Sequence, residues 1–114
     1  MRIAVFFLAV FLTFPAFALD PLQVAETRYC GEPKRNAAGT IIRSAAVREA
    51  FTKAHPCPLT GLPGTCKGWQ VDHVIPLACG GCDAVFNMQW LPVEIKTCAG
   101  TVCKDRWEMK VYCK

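Results

Sequence analysis

All eight cysteines of this 114-residue chain, Cys30, Cys57, Cys66, Cys79, Cys82, Cys98, Cys103 and Cys113, fall beyond residue 29. A small domain buries little apolar surface to set against its conformational entropy, and cross-links compensate by restricting the unfolded chain. An even cysteine count in so short a segment therefore reads as a disulfide framework, which calls for an oxidising compartment. The close spacing of Cys57 with Cys66 and of Cys98 with Cys103 suggests two local staples. Cys30, Cys79, Cys82 and Cys113 are left for longer links, and spacing alone does not choose among their pairings.

The N-terminus agrees with that compartment. MRIAVFFLAVFLTFPAFA carries one early charge at Arg2, an apolar run from Ile3 to Phe14 and small residues at Ala16 and Ala18. This is the pattern of a secretory signal peptide cleaved near Ala18. Its apolar run is shorter than the roughly 18 to 20 residues a membrane span needs. The expected product is a secreted or periplasmic protein of residues 19–114, with no membrane contact after cleavage. That length suffices for one domain with one modest core. Removing Arg2 leaves twelve Lys and Arg against nine Asp and Glu, a net charge of +3. Such a balance permits a polyanionic partner without demanding one.

Residues 20–43 read as a polar, basic arm in which Arg28, Lys34, Arg35 and Arg43 surround the turn-like Asn36-Ala-Ala-Gly39, with a short strand at Ile41-Ile42. Ser44 then offers an oxygen to an orphan amide, and Val47, Phe51 and Ala54 recur at spacings of four and three. Together they predict an amphipathic helix over 44–55. Pro56 and Pro58 end it, since proline lacks the amide and restricts the residue before it. His55 is expected as a helix-end residue and not as a catalyst.

A Pro- and Gly-rich loop between Cys57 and Cys66 leads to two apolar strands, at about 69–75 and 87–91. Between them lies the Gly80-Gly81 turn region, whose glycines can adopt positive φ. The final element, 104–113, sets Trp107 and Val111 four apart against Lys104, Asp105, Arg106, Glu108 and Lys110, which predicts a short helix with an apolar inner stripe. Trp69, Trp90 and Trp107 are expected to fill the core in preference to stacking on bases.

The chemistry concentrates in VDHVIPLACGGCDAVFNMQW, residues 71–90. Hydrolysis of a phosphodiester needs a base for the attacking water and positive charge for the phosphate and the departing oxygen. A neutral histidine, His73, suits the first task. A carboxylate, Asp72, suits the second by holding a hard divalent cation. Neighbours on a regular strand point to opposite faces, so their convergence requires a local bend, for which Pro76 and the glycine pair provide the means. Asn87 can both donate and accept, so it is placed to tie down the loop that holds His73 and to fix the imidazole.

DHVIPLACGG, then Asp83, then NMQWLP, then KDRWE resemble the HNH endonucleases of the ββα-metal class, in particular their small exported, cysteine-rich members. The resemblance is specific over residues 69–91 and 104–108. It implies an α+β fold whose ββα-metal core, about 69–113, is a two-stranded antiparallel hairpin plus helix, here joined by an N-terminal amphipathic helix and disulfide staples. It further implies His73 as general base, Asp72 as metal ligand and Asn87 as the residue that orients the histidine loop. The chain departs from the pattern at the helix, where many members carry a second His or Asn ligand. Lys96 lies near that slot without a gap, whereas Lys104-Asp105 matches the KD of the resembling subfamily after a cysteine-bearing insertion, Thr97 to Cys103. Asp105 or Glu108 is then the further metal ligand, and Lys104, Arg43 and Arg35 are assigned to phosphate contact.

The expected cofactor is one divalent ion, magnesium first, with manganese, nickel or zinc as alternatives. The expected activity is metal-dependent cleavage of DNA or RNA with low sequence specificity. The rival expectation is a catalytically inactive, disulfide-stapled binding module on the same scaffold, and an immunity protein is a conceivable partner of an active enzyme. Family members often hold a structural zinc between two CxxC pairs, but the flanking pairs here are spaced C-x8-C and C-x4-C, which favours disulfides. A redox role for Cys79-Gly-Gly-Cys82 would expect a βαβ context that the pattern lacks. Oligomeric state is not encoded in any of these features.

Overall fold

Ser44 opens the first helix as its residue type predicts. Its backbone is extended and its hydroxyl accepts the Val47 amide at 3.2 Å, capping α1, Ala45–Ala54. The computed structural model describes residues 26–114, so the predicted signal peptide and its cleavage point lie outside the described residues. The inner face of α1 is rotated from the expected stripe. Phe51 and Thr52 are buried and Val47 is half-buried, whereas Ala54 is exposed. Phe51 lies 5.1 Å from the His55 ring and 5.8 Å from Trp90, and burial of such a side chain contributes about 1.5–3 kcal/mol. The Trp90 indole donates to the His55 carbonyl at 2.7 Å, so His55 serves the end of the helix.

Two strands form an antiparallel pair, β1, Trp69–His73, and β2, Met88–Pro92, in the register Trp69 with Pro92 through His73 with Met88. β1 ends two residues earlier than its apolar run suggests. Asn87 turns into the ladder there: its carbonyl takes the Val74 amide at 2.8 Å and its side chain takes the Ile75 amide at 3.0 Å. Short 3-10 turns at Leu77–Cys79 and Val85–Asn87 carry the connection. After β2 come α2, Val93–Lys96, which the sequence did not signal, and α3, Lys104–Tyr112. The fold is thus α+β, a two-stranded antiparallel sheet with helices and four disulfides. Among the described residues no helix is long and apolar enough to cross a membrane.

All eight cysteines are paired, as Cys30–Cys82, Cys57–Cys66, Cys79–Cys113 and Cys98–Cys103. The two local staples are those expected from spacing. Cys79 and Cys82 belong to different bridges, so neither a dithiol pair nor a zinc cluster exists at CxxC. These two bridges flank Gly80-Gly81 and fasten the connection to the N-terminal arm and to the end of α3. The arm also pairs with it directly, since the Cys30 amide donates to the Gly80 carbonyl and the Cys82 amide to the Arg28 carbonyl, at 2.7 and 2.8 Å. In place of a strand at Ile41-Ile42, the arm has an isolated bridge from Arg35 to Ile41 around the Asn36 turn.

The core comprises Phe51, Ile75, Leu77, Met88 and buried cystines. Trp69, Trp90 and Trp107 are only half-buried, because the disulfides occupy the centre that they were expected to fill. α3 also departs from expectation: Val111 is 58% exposed and Lys104 is 3% exposed. Its inner face runs through Lys104, Trp107 and Glu108, led by a charge that finds buried partners.

Candidate active site

The two glycines of the connection do different work. Gly80 has φ of 91° and closes the 3-10 turn. Gly81 has no positive φ, but a Cβ there would lie 2.0 Å from the Ile75 carbonyl oxygen and 2.9 Å from the Asn87 amide nitrogen. Only glycine lets Asn87 close the loop. The Asn87 side chain is fully buried, accepting from the Ile75 amide at 3.0 Å and donating to the Ile75 and Cys82 carbonyls, both at 2.9 Å. It therefore staples residues 75–82 onto the end of β1.

Asn87 does not hold the His73 ring, which was the second half of its expected role. That part falls to Asp83, a residue that sequence reasoning placed in the motif without assigning it a task. Asp83 Oδ1 lies 3.0 Å from His73 Nε2, and Oδ2 accepts the Ser44 amide at 2.7 Å. One carboxylate so joins the imidazole to the start of α1, where unpaired amides favour a negative group. A carboxylate only accepts, so Nε2 carries the proton and Nδ1 is left as the basic nitrogen. The His73 side chain is 13% exposed and borders two adjoining clefts of about 240 Å³ each. Arg43 lines both, Arg48 the second, and Asp72, Lys96 and Glu108 the first.

β1 stays regular through His73, so Asp72 and His73 take up separate partners on either side of it. Asp72 is 4% exposed. Its Oδ1 accepts from Lys96 at 2.9 Å, while Oδ2 accepts from Gln89 at 3.0 Å and stands 2.9 Å from the Lys104 ammonium. Burial works to raise the Asp72 carboxyl, but these hydrogen bonds outweigh it and hold the group below the usual aspartate range. Burial likewise works to lower Lys96, yet its bonds to Asp72 and Asp105 prevail and raise it above the usual lysine range. Each ammonium bridges two carboxylates: Lys96 joins Asp72 to Asp105, at 3.0 Å from the latter, and Lys104 joins Asp72 to Glu108. Lys104 also donates to the His73 carbonyl at 2.8 Å.

These contacts bear on several expected roles. Lys104 was assigned to phosphate contact, but its side chain is 4% exposed and engaged with Asp72, Glu108 and the His73 carbonyl, so it acts inside the fold. Arg35 is exposed on the arm, where it donates to the Gly39 carbonyl, and lies outside both clefts. Arg43 is exposed and borders both.

The expected metal ligands Asp72, Asp105 and Glu108 do converge, but on ammonium groups. A divalent ion roughly 4 Å from one ammonium would be repelled by about 8 kcal/mol at an effective dielectric near 20. In this arrangement the residues do not fit a cation held at Asp72. No group of three or more His, Cys, Asp or Glu among the described residues is disposed to hold a metal.

Compared with family models, with curated proteins and with solved structures, the chain matches none.

Proposed function

We propose that this chain is an endonuclease that hydrolyses phosphodiester bonds of DNA or RNA with little sequence preference. The observation that carries the reading is His73, held through Nε2 by Asp83 on a loop clamped by Asn87, at a cleft edge shared with Arg43. A base needs a free nitrogen, a fixed orientation and access to a water, and an anionic substrate needs a cation beside it.

In the proposed step, His73 Nδ1 takes a proton from water while the water oxygen forms its bond to phosphorus. The opposite P–O bond breaks, its electron pair leaves with the sugar oxygen, and that oxygen takes a proton from solvent. The imidazolium then returns its proton to solvent, so one water is consumed per cut. Arg43 and Arg48 hold backbone phosphate, which gives salt-sensitive binding without base readout. The disulfide framework supports export to the periplasm or beyond, where such cross-links persist.

A second reading, a binding module without turnover, is favoured by the saturation of Asp72 with lysine partners. Cleavage of supercoiled plasmid by oxidised residues 19–114 separates the two. The nuclease reading expects nicking that His73→Ala abolishes. The binding module expects plasmid, RNA and single-stranded DNA all left intact by a folded sample.

A further inference from the structure

We propose that Lys96 takes the place of a divalent cation in this site, so that strand cleavage proceeds without one. The inference rests on the nuclease reading above and names the group that stabilises charge in it. The Lys96 ammonium lies between one oxygen of Asp72 at 2.9 Å and one of Asp105 at 3.0 Å, the two-carboxylate setting in which a hard cation would be expected. Lys104 fills the corresponding position between Asp72 and Glu108. The two lysines differ in access. The Lys104 side chain is 4% exposed and bound on three sides, whereas that of Lys96 is 20% exposed and lines the same cleft as His73 and Arg43.

The division of labour follows from that difference. Lys104 neutralises Asp72 from within and fixes the end of β1 through the His73 carbonyl. Lys96, partly neutralised by Asp72 and Asp105, keeps an open side toward the cleft, and an ammonium has three donors to distribute. One directed at a non-bridging phosphate oxygen stabilises the charge that grows as His73 takes the water proton, and preorganised donors of this kind contribute 10²- to 10³-fold in rate. The proton balance is unchanged: Lys96 stays protonated, and the departing oxygen is protonated by solvent.

Removing the Lys96 ammonium does not open a metal site at Asp72, because Lys104 remains 2.9 Å from Asp72 Oδ2 and repels a divalent ion as before. The test uses oxidised residues 19–114 treated with EDTA and dialysed, as wild type, Lys96→Ala and Lys96→Arg, each checked for fold by circular dichroism.

Two readouts are taken: plasmid nicking in EDTA or with magnesium or manganese, and Mn²⁺ binding followed by paramagnetic broadening of amide signals around residue 72. The expected result is wild-type nicking in EDTA within about twofold of that with magnesium, and no local broadening. Lys96→Ala should lose roughly 100-fold or more in EDTA, without recovery in manganese and without broadening at Asp72, since Lys104 still occupies that carboxylate. Lys96→Arg should keep measurable nicking in EDTA. Wild-type nicking that requires a divalent ion, with Mn²⁺ broadening at Asp72 in the wild type, would overturn the lysine assignment and leave the nuclease reading standing. Intact plasmid from all three folded proteins under every condition would overturn both.

Discussion

Replacing Asn87 by alanine removes three hydrogen bonds from a side chain with no solvent exposure. The Ile75 amide and the Ile75 and Cys82 carbonyls lose their partners at 3.0, 2.9 and 2.9 Å. At about 1 kcal/mol net per bond the loss is about 3 kcal/mol, and each group left buried without a partner pushes the figure upward. Against a total stability of roughly 5–15 kcal/mol that is a large fraction. Asn87→Asp discriminates between shape and donor. It keeps the volume and the acceptor for the Ile75 amide, but turns the donating nitrogen into an anionic oxygen facing two carbonyls, and should cost at least as much as alanine. Urea denaturation of the oxidised proteins, followed by tryptophan fluorescence, gives the difference from the midpoint shift at constant slope. A loss below about 1 kcal/mol for both variants would refute the clamp, since three buried bonds cannot be so weak unless the loop is held by something else.

Gly81→Ala should destabilise by more than the 1–3 kcal/mol typical of overpacking, because the clashing atom at 2.0 Å is backbone already fastened by Asn87; thermal unfolding checks this. Asp72 titrates below its usual value in the folded state, so its contribution is complete above about pH 4 and is lost as pH falls through the folded value. Stability measured between pH 5 and 2 should decline accordingly, and Asp72→Asn should flatten that decline while costing about 1.5–3 kcal/mol at pH 7 through its weakened bonds to Lys96 and Lys104, which keep Asp105, Glu108 and the His73 carbonyl as partners. Converting Cys30 and Cys82 to serine should cost about 4 kcal/mol and converting Cys98 and Cys103 about 2, following their separations of 52 and 5 residues; chemical denaturation ranks them. Asp83→Asn should lower nicking by tenfold or more and shift its pH profile, with Asp83→Glu restoring part of the rate; an unchanged profile would remove Asp83 from the orientation of His73.

Local features of the chain were legible because they depend on residues near each other in sequence. Ser44 before an amphipathic run caps a helix wherever the tertiary contacts fall, and Pro56 stops it. Cys57 with Cys66 and Cys98 with Cys103 are close enough in sequence to meet without instruction from the fold. The order of His73, the glycine pair and Asn87 announced a clamped loop, and the clamp is present.

What the tertiary structure decided are the contacts made across long separations. Asp83 reaches His73 and the start of α1 together only because the connection folds back over that helix end. Lys96 and Lys104 converge on Asp72 from 24 and 32 residues away, which depends on where α2 stops and how the Cys98–Cys103 link returns the chain to α3. Residue type alone reads Lys104 as a solvated surface charge. Burial with Asp72, Glu108 and a carbonyl as partners makes it an internal one, because a desolvated ammonium is tolerated only where oppositely charged or accepting groups surround it.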